Sequence, residues 1–399
     1  KIARLNIQNL FFWLYGLIIF ALILFGTNFS KFHLIGPLYL HDLILIVVAI
    51  LALSFPPYIF VSKSIFFLSL LSIAYFIISI TNPTGVPSSI TIRQYAIFGY
   101  MLLFGLIYSK FCRSIPLNKI VLLLFRIGLV SFMLQFVLTG INLANGINVF
   151  EGYNYYSPAS VLGLIIIGAY ILIYWRGLKR LIFFALVLAL SATTGHSSAF
   201  LSVLVTLFAL LFLRADNRGK VIMVGLQIVL ISLLLFLPQF TDANAGFRTI
   251  AWGATMERVT ISNYFVIGEG FGIPYFNQEL IMELYEKVGT VGFWIEGKEY
   301  EAYLSSVHNS FLTIFIAVGF LPGLIVLKPL AKSIIYSFST SKSLNVDFLV
   351  VALFGLSVWV SFNEILEVPH SAALYWFVYY AAVVGLSLHQ LSANNAYAD

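Results

Sequence analysis

The chain has 399 residues, of which 61% are hydrophobic and only 10% charged. Soluble domains carry about 25% charged residues, so a mean hydropathy of +0.98 excludes a soluble enzyme or binding module. The net charge of +6 follows the loop asymmetry described below, and no nucleic-acid partner is expected.

A membrane crossing needs roughly 20 apolar residues. Twelve runs approach that length, at about 10–27, 41–55, 64–80, 94–109, 117–138, 158–175, 180–194, 196–213, 220–238, 308–327, 346–362 and 371–388. Backbone groups in lipid must be satisfied within their own segment, so each run reads as a helix. Leu, Ile and Phe fill the runs without the alternation of a β-barrel strand. The first run follows Lys1 and Arg4. At about 17 residues, with no small-residue cleavage site behind it, it reads as a span rather than a signal peptide.

Between the third and fourth runs, Asn82-Pro83-Thr84-Gly85-Val86-Pro87 marks an extended turn. Arg93 follows at the mouth of the fourth run. It is equally placed to meet an anion at the outer interface or to anchor its helix by snorkelling. Cys112 is the single cysteine, so no internal disulfide forms, and no metal-type Cys/His spacing exists. Arg126 lies about 10 Å into the fifth run and snorkels inward. His196 sits in the hydroxyl-rich turn Thr193-Thr194-Gly195-His196-Ser197-Ser198 between the seventh and eighth runs.

Residues 239–307 form a long polar insertion. Arg248 to Arg258 reads as a short helix, with Glu257 as an ion-pair partner. The glycines of Gly268-Glu269-Gly270-Phe271-Gly272 mark a turn and not a dinucleotide site, because no strand–helix unit frames them. Asn277 to Val288 is amphipathic, with Leu280, Ile281, Leu284 and Val288 opposite Glu279, Glu283 and Glu286. The insertion holds nine acids and four bases, so an anionic ligand must be met by particular arginines. Arginine's planar fork, permanently charged, suits phosphate. Ser305 or Ser306 is the expected N-cap of the tenth run. His308 and Asn309 then open it, where free N–H groups and the helix dipole favour anions. A histidine there is a general base or a neutral donor. Glu364, Glu367 and His370 fall in the turn before the last run, which reads as a solvated turn or as a carboxylate site for an acceptor hydroxyl.

Taking the N-terminus as inside, fifteen Lys and Arg fall on the inner side. Six fall outside: Lys31, Arg93, Arg248, Arg258, Lys287 and Lys298. The expected fold is one all-α polytopic membrane domain over 1–399. It has about twelve transmembrane helices, both termini cytoplasmic, and the 239–307 insertion outside between helices nine and ten.

These residues resemble the Wzy-type O-antigen polymerase and O-antigen ligase superfamily. The architecture is similar over the whole chain. Three segments are similar locally: Thr194 to Leu201, Arg248 to Trp252 followed by Gly268, Gly270 and Gly272, and His308-Asn309 with Gly319 after nine residues. The resemblance implies a GT-C-like membrane glycosyltransferase facing the periplasm from the bacterial inner membrane. Its donor is a glycan on undecaprenyl pyrophosphate, and it needs no metal or cofactor. It implies catalytic roles for Arg248 and His308 and substrate contacts from Arg258, Arg93, Asn309 and His196. Membrane lipid and a chain-length regulator protein are the further partners implied. His196-Ser197 stands where the family often has Arg, and Pro322 where a small or hydroxyl residue is usual. Both departures favour polymerase over ligase. A ligase acting on lipid A-core, or a transporter or flippase, are the alternatives.

Overall fold

Lipid offers a backbone no hydrogen-bond partner but itself, and helices occupy all twelve apolar runs. The computed structural model describes residues 2–29, 32–35, 38–53, 62–81, 86–150, 154–155, 157–234, 243–261, 263–276, 278–288 and 307–395. In chain order the helices are α1 (Ile2–Phe29), α2 (Leu40–Leu53), α3 (Lys63–Thr81), α4 (Ser88–Phe111), α5 (Leu117–Ala144), α6 (Pro158–Tyr174), α7 (Gly177–Ala192), α8 (Ser197–Arg214) and α9 (Asn217–Leu234). Then come α10 (Ala243–Ile261), α11 (Gln278–Val288), α12 (Ser310–Val318), α13 (Phe320–Ser337), α14 (Leu344–Phe362) and α15 (Pro369–Asn395). A two-stranded antiparallel ribbon, β1 (His33–Ile35) and β2 (Leu38–Tyr39), precedes α2.

Seven of these helices, α3, α4, α5, α8, α13, α14 and α15, are long and apolar enough to cross a membrane by length and composition. The chain is a helical multi-span membrane protein. Helix α15 is central, with 83% of its span buried, and α14 follows with 72%, against 22% for the peripheral α3. Its middle stacks Tyr375, Trp376, Phe377, Tyr379 and Tyr380, all at 0% exposure. A helix apolar on every side belongs at the centre of a bundle. Helix α14 packs against α15, α8 and α6, and α6 against α5. Lipid tails are as apolar as leucine, so close fit rather than water exclusion holds such helices together, and small residues permit it. Gly163 of α6 shows this: any β-carbon there would strike Ser131 of α5.

The structure corrects the expectation of one continuous helix over 308–327. Helix α12 ends at Val318, Gly319 takes φ 94° and ψ 155°, and α13 starts afresh at Phe320. The glycine cluster of the polar insertion fills the break. Glu269 N–H donates to the Ile316 carbonyl (2.8 Å) and Gly270 N–H to the Ala317 carbonyl (3.0 Å). These supply two of the acceptors' partners that a broken helix end loses. The same loop is pinned to α3 and α4: Phe271 N–H donates to Ser79 Oγ (3.0 Å), and Gly272 N–H to Gln94 Oε1 (2.7 Å). The Phe271 ring fills an aromatic socket, 5.4 Å from Tyr95 and 5.7 Å from Phe98.

Two more expectations change. The Arg248–Arg258 segment lies inside the longer α10, and the cap of α12 is Asn309, whose side chain accepts from Phe311 N–H (3.0 Å) and Leu312 N–H (3.1 Å). Ser305 and Ser306, the expected caps, lie outside the described residues. His308 therefore precedes the helix rather than occupying its first turn. Residues 235–242 and 289–306, with Asp242, Glu296, Lys298, Glu299 and Glu301, also lie outside them. Within α11 the amphipathic reading holds, with Leu280, Ile281 and Leu284 buried and Glu279, Glu283 and Glu286 exposed.

Candidate functional site

His196, Arg248 and His308 converge from three distant parts of the chain. The ring of His196, at the N-cap position of α8, lies 5.1 Å from Tyr155 and edge-on at 5.4 Å to Trp359. Burial, then the Arg248 charge, then His308, push its pKa down to about 4. His308 stands edge-on to Phe247, the residue before Arg248, at 5.6 Å. Burial and then Arg248 lower its pKa as well. Its side chain keeps 45% exposure, so water screens part of that effect; both imidazoles remain neutral at pH 7. The Arg248 charge thus acts on two neutral rings, each able to donate one hydrogen bond and accept another.

His308 is the one non-glycine residue with positive φ among the described residues, at 51°. Such a conformation persists only where neighbours over-determine it. Here Trp252 Nε1–H donates to the Val307 carbonyl on one side (2.7 Å), and the Asn309 cap fixes the other. Asn309 contributes by holding His308 and α12 in place; its side-chain oxygen is spent on the cap.

The expected solvated turn before α15 is instead partly buried under this site. Glu364 approaches His308, with Oε1 3.9 Å from Nε2, beyond hydrogen-bond reach but close enough to steady a protonated ring. Glu367 is tied to the head of α12: Ser310 Oγ donates to its Oε2 (2.6 Å), and Ile365 and Leu366 N–H donate to Ser310 Oγ. Burial raises the Glu367 pKa against the opposing pull of Ser310 and backbone N–H groups. Its Oε1 is buried without a hydrogen bond among the described residues. Tyr275 lies close enough that Glu367 and Glu364, after burial itself, raise its pKa. His370 is buried within α15.

Two arginines of the expected site go elsewhere. Arg258 makes a two-pronged ion pair with Glu269, not Glu257, and its Nη1 also donates to the Tyr275 carbonyl (3.1 Å). Glu257 is the adjacent residue on the same helix, and adjacent helical side chains do not face each other. Arg93 lies over the Tyr39 ring (4.7 Å), beside the buried pair of Asp42 and Tyr100, whose hydroxyl donates to Asp42 Oδ1 (2.6 Å). Sequence reading overlooked Ser310 and Tyr155. Both adjoin segments that carried a signal: Ser310 follows His308-Asn309, and Tyr155 sits in the aromatic stretch Tyr153-Asn154-Tyr155-Tyr156.

No family model matches this chain, and no curated protein matches it. Function must therefore be argued from the site. Among the described residues, no three His, Cys, Asp or Glu side chains group as a metal site.

The Arg258–Glu269 pair fastens the loop that fills the helix break. Glu269 exposes 7% of its side chain and Arg258 28%. Removing one partner of a buried pair leaves the other charge uncompensated. With Arg258 partly screened by water, Glu269→Gln is expected to cost about 2 kcal/mol. A lowered thermal midpoint of the detergent-solubilised protein would report this; a midpoint equal to wild type would contradict it.

Proposed function

We propose that this protein is a membrane glycosyltransferase that polymerises a surface polysaccharide from oligosaccharide repeats carried on a polyprenyl pyrophosphate. A sugar hydroxyl of the incoming repeat attacks the anomeric carbon of the donor chain. The bond from that carbon to the pyrophosphate oxygen breaks, and the lipid pyrophosphate leaves with the electron pair. Charge develops on the leaving group, where a pre-placed cation acts most strongly. The carrying observation is that α10 is held to the head of α12, by Phe247 against His308 and by Trp252 on the Val307 carbonyl, so that the Arg248 charge acts on the imidazoles of both His308 and His196. Arg248 stabilises the departing pyrophosphate, and His308 takes the hydroxyl proton. Glu364 stands beside the imidazolium so formed. Arg258, occupied by Glu269, holds the scaffold rather than the substrate.

In this reading the twelve helical runs cross the inner membrane, both termini are cytoplasmic, and the polar insertion caps the site in the periplasm. A transporter is the second reading, and the break at Gly319 favours it, since transporters use discontinuous helices with open ends to hold ions. Here, however, Glu269 and Gly270 occupy two of the last carbonyls of α12, those of Ile316 and Ala317, which leaves the enzyme reading ahead.

Deleting the gene and running the surface polysaccharide on a gel tests this. Loss of a polymerase leaves core carrying a single repeat. Bare core with accumulated lipid-linked polymer would instead assign the protein as a ligase. Bare core with single repeats trapped inside would assign it as a flippase.

A further inference from the structure

Helix α8 carries His196 at one end and Arg214 at the other, about 27 Å away at helical rise. At that far end lies a cavity of ≈330 Å³ lined by Tyr174, Trp175, Arg176, Gly177, Arg180 and Arg214, with Ile173 and Leu344 closing its apolar side. Its size falls at the lower end of the roughly 300–1,000 Å³ range of small-molecule sites. Three arginines thus line one space, Arg180 half-buried and Arg176 and Arg214 exposed. No hydrogen bond or ion pair among the described residues ties any of them. Two acids lie within three residues of the lining in sequence: Asp216 accepts from Gly219 N–H (2.7 Å), and Asp347 accepts from the Tyr336 hydroxyl (2.7 Å).

Asp347 attracts Arg214, yet the lining itself carries three positive charges and no acid, so an anion lowers the energy of the empty site. The start of α7 adds to this field. Arg176 occupies its N-cap position without a side-chain cap bond, so first-turn N–H groups are left for a ligand or water. Tyr174 is held by its hydroxyl, which donates to Asn345 Oδ1 (2.6 Å). Trp175 packs edge-on to Phe183 at 4.9 Å. Aromatic side chains of this kind mark the level of lipid headgroups.

We propose that this cavity binds a phosphate group, held by the forks of Arg176, Arg180 and Arg214. Forked guanidinium contacts match phosphate oxygens two at a time. Basic pockets between membrane helices take anionic lipid headgroups by this means. The site is independent of the pyrophosphate site proposed above and lies at the opposite end of the bundle.

The test uses the full chain purified in a neutral detergent. Phosphatidylglycerol and phosphatidylcholine are offered separately, and retained lipid is counted by native mass spectrometry. Phosphatidylglycerol is expected to be retained preferentially, and Arg180→Gln to weaken its retention about tenfold. The double variant Arg176→Gln/Arg214→Gln should do the same. Arg218→Gln removes the same charge from an exposed position outside the cavity and should leave retention unchanged. Inorganic phosphate at millimolar concentration separates the sources. Displacement of the lipid assigns a free phosphate ligand to the same residues, and failure to displace assigns the lipid headgroup. Equal retention of both lipids, or retention unchanged in the cavity variants, would overturn the proposal.

Discussion

Arg248→Ala is expected to abolish the polymer ladder while the amount of folded protein in the membrane stays at the wild-type level. Removing one group that stabilises developing negative charge costs on the order of 10²–10³ in turnover, or about 2.7–4 kcal/mol. A gel reads that as loss of every band above the single repeat. Arg248→Lys keeps the charge but loses the planar fork and should restore short chains only. His308→Ala should resemble Arg248→Ala if the imidazole takes the acceptor proton. A second readout does not depend on polymerase activity. The Arg248 charge lowers the pKa of both His308 and His196. Removing it therefore raises both, and the histidines of Arg248→Ala should take up protons at higher pH than those of the wild type. The sign for activity follows. A base whose pKa lies below its ordinary value stays neutral into acid, so the wild type should keep its activity as pH falls through 6.5. A normal ladder from Arg248→Ala would sink the catalytic assignment. An unchanged histidine titration would further contradict the electrostatic contact.

Which parts of this were legible in sequence depends on range. Apolar runs report helices faithfully, because composition decides whether a segment can sit in lipid, and each of the twelve runs carries helix. Run length is less faithful: α2, α6 and α7 are apolar but short, with 14, 17 and 16 residues. The gathering of His196, Arg248 and His308 was foreshadowed by residue type, since a cation and imidazoles on one side of a membrane suit one anionic ligand. Their partners were not. Arg258 meets Glu269 across a loop rather than its helical neighbour, and Glu367 is half-buried and bonded to Ser310 at the head of α12, which only tertiary packing supplies. The positive φ of His308 leaves no compositional trace at all.

The break in the tenth run was equally hidden, and it decides how the site is built. Hydropathy is blind to it, because Ser310 to Leu327 is apolar on both sides of Gly319. Two glycines make it possible. At Gly319, φ 94° and ψ 155° lie in a region that essentially only glycine enters. A β-carbon there would also stand 2.7 Å from the Val266 carbonyl oxygen. At Gly268, a β-carbon would strike the Ala317 carbonyl and the Gly319 nitrogen. Both obstacles are backbone atoms and cannot swing aside. Gly319→Ala therefore combines backbone strain of about 1–3 kcal/mol with overpacking of about 1–3 kcal/mol. That is a large share of the roughly 5–15 kcal/mol by which folded proteins are stable. The expected result is a steep fall in the fraction of protein that survives solubilisation and heating, with Gly268→Ala behaving alike. Gly253→Ala is the counter-case. Its β-carbon would meet nothing within 4 Å on α10, so the better helix former should stabilise by about 0.5–1 kcal/mol. A Gly319→Ala protein as stable as wild type would mean that the helix runs on unbroken from Ser310. The loop carrying Glu269 would then have no broken end to fill, and the anchoring of Arg258 beside the site would lose its cause.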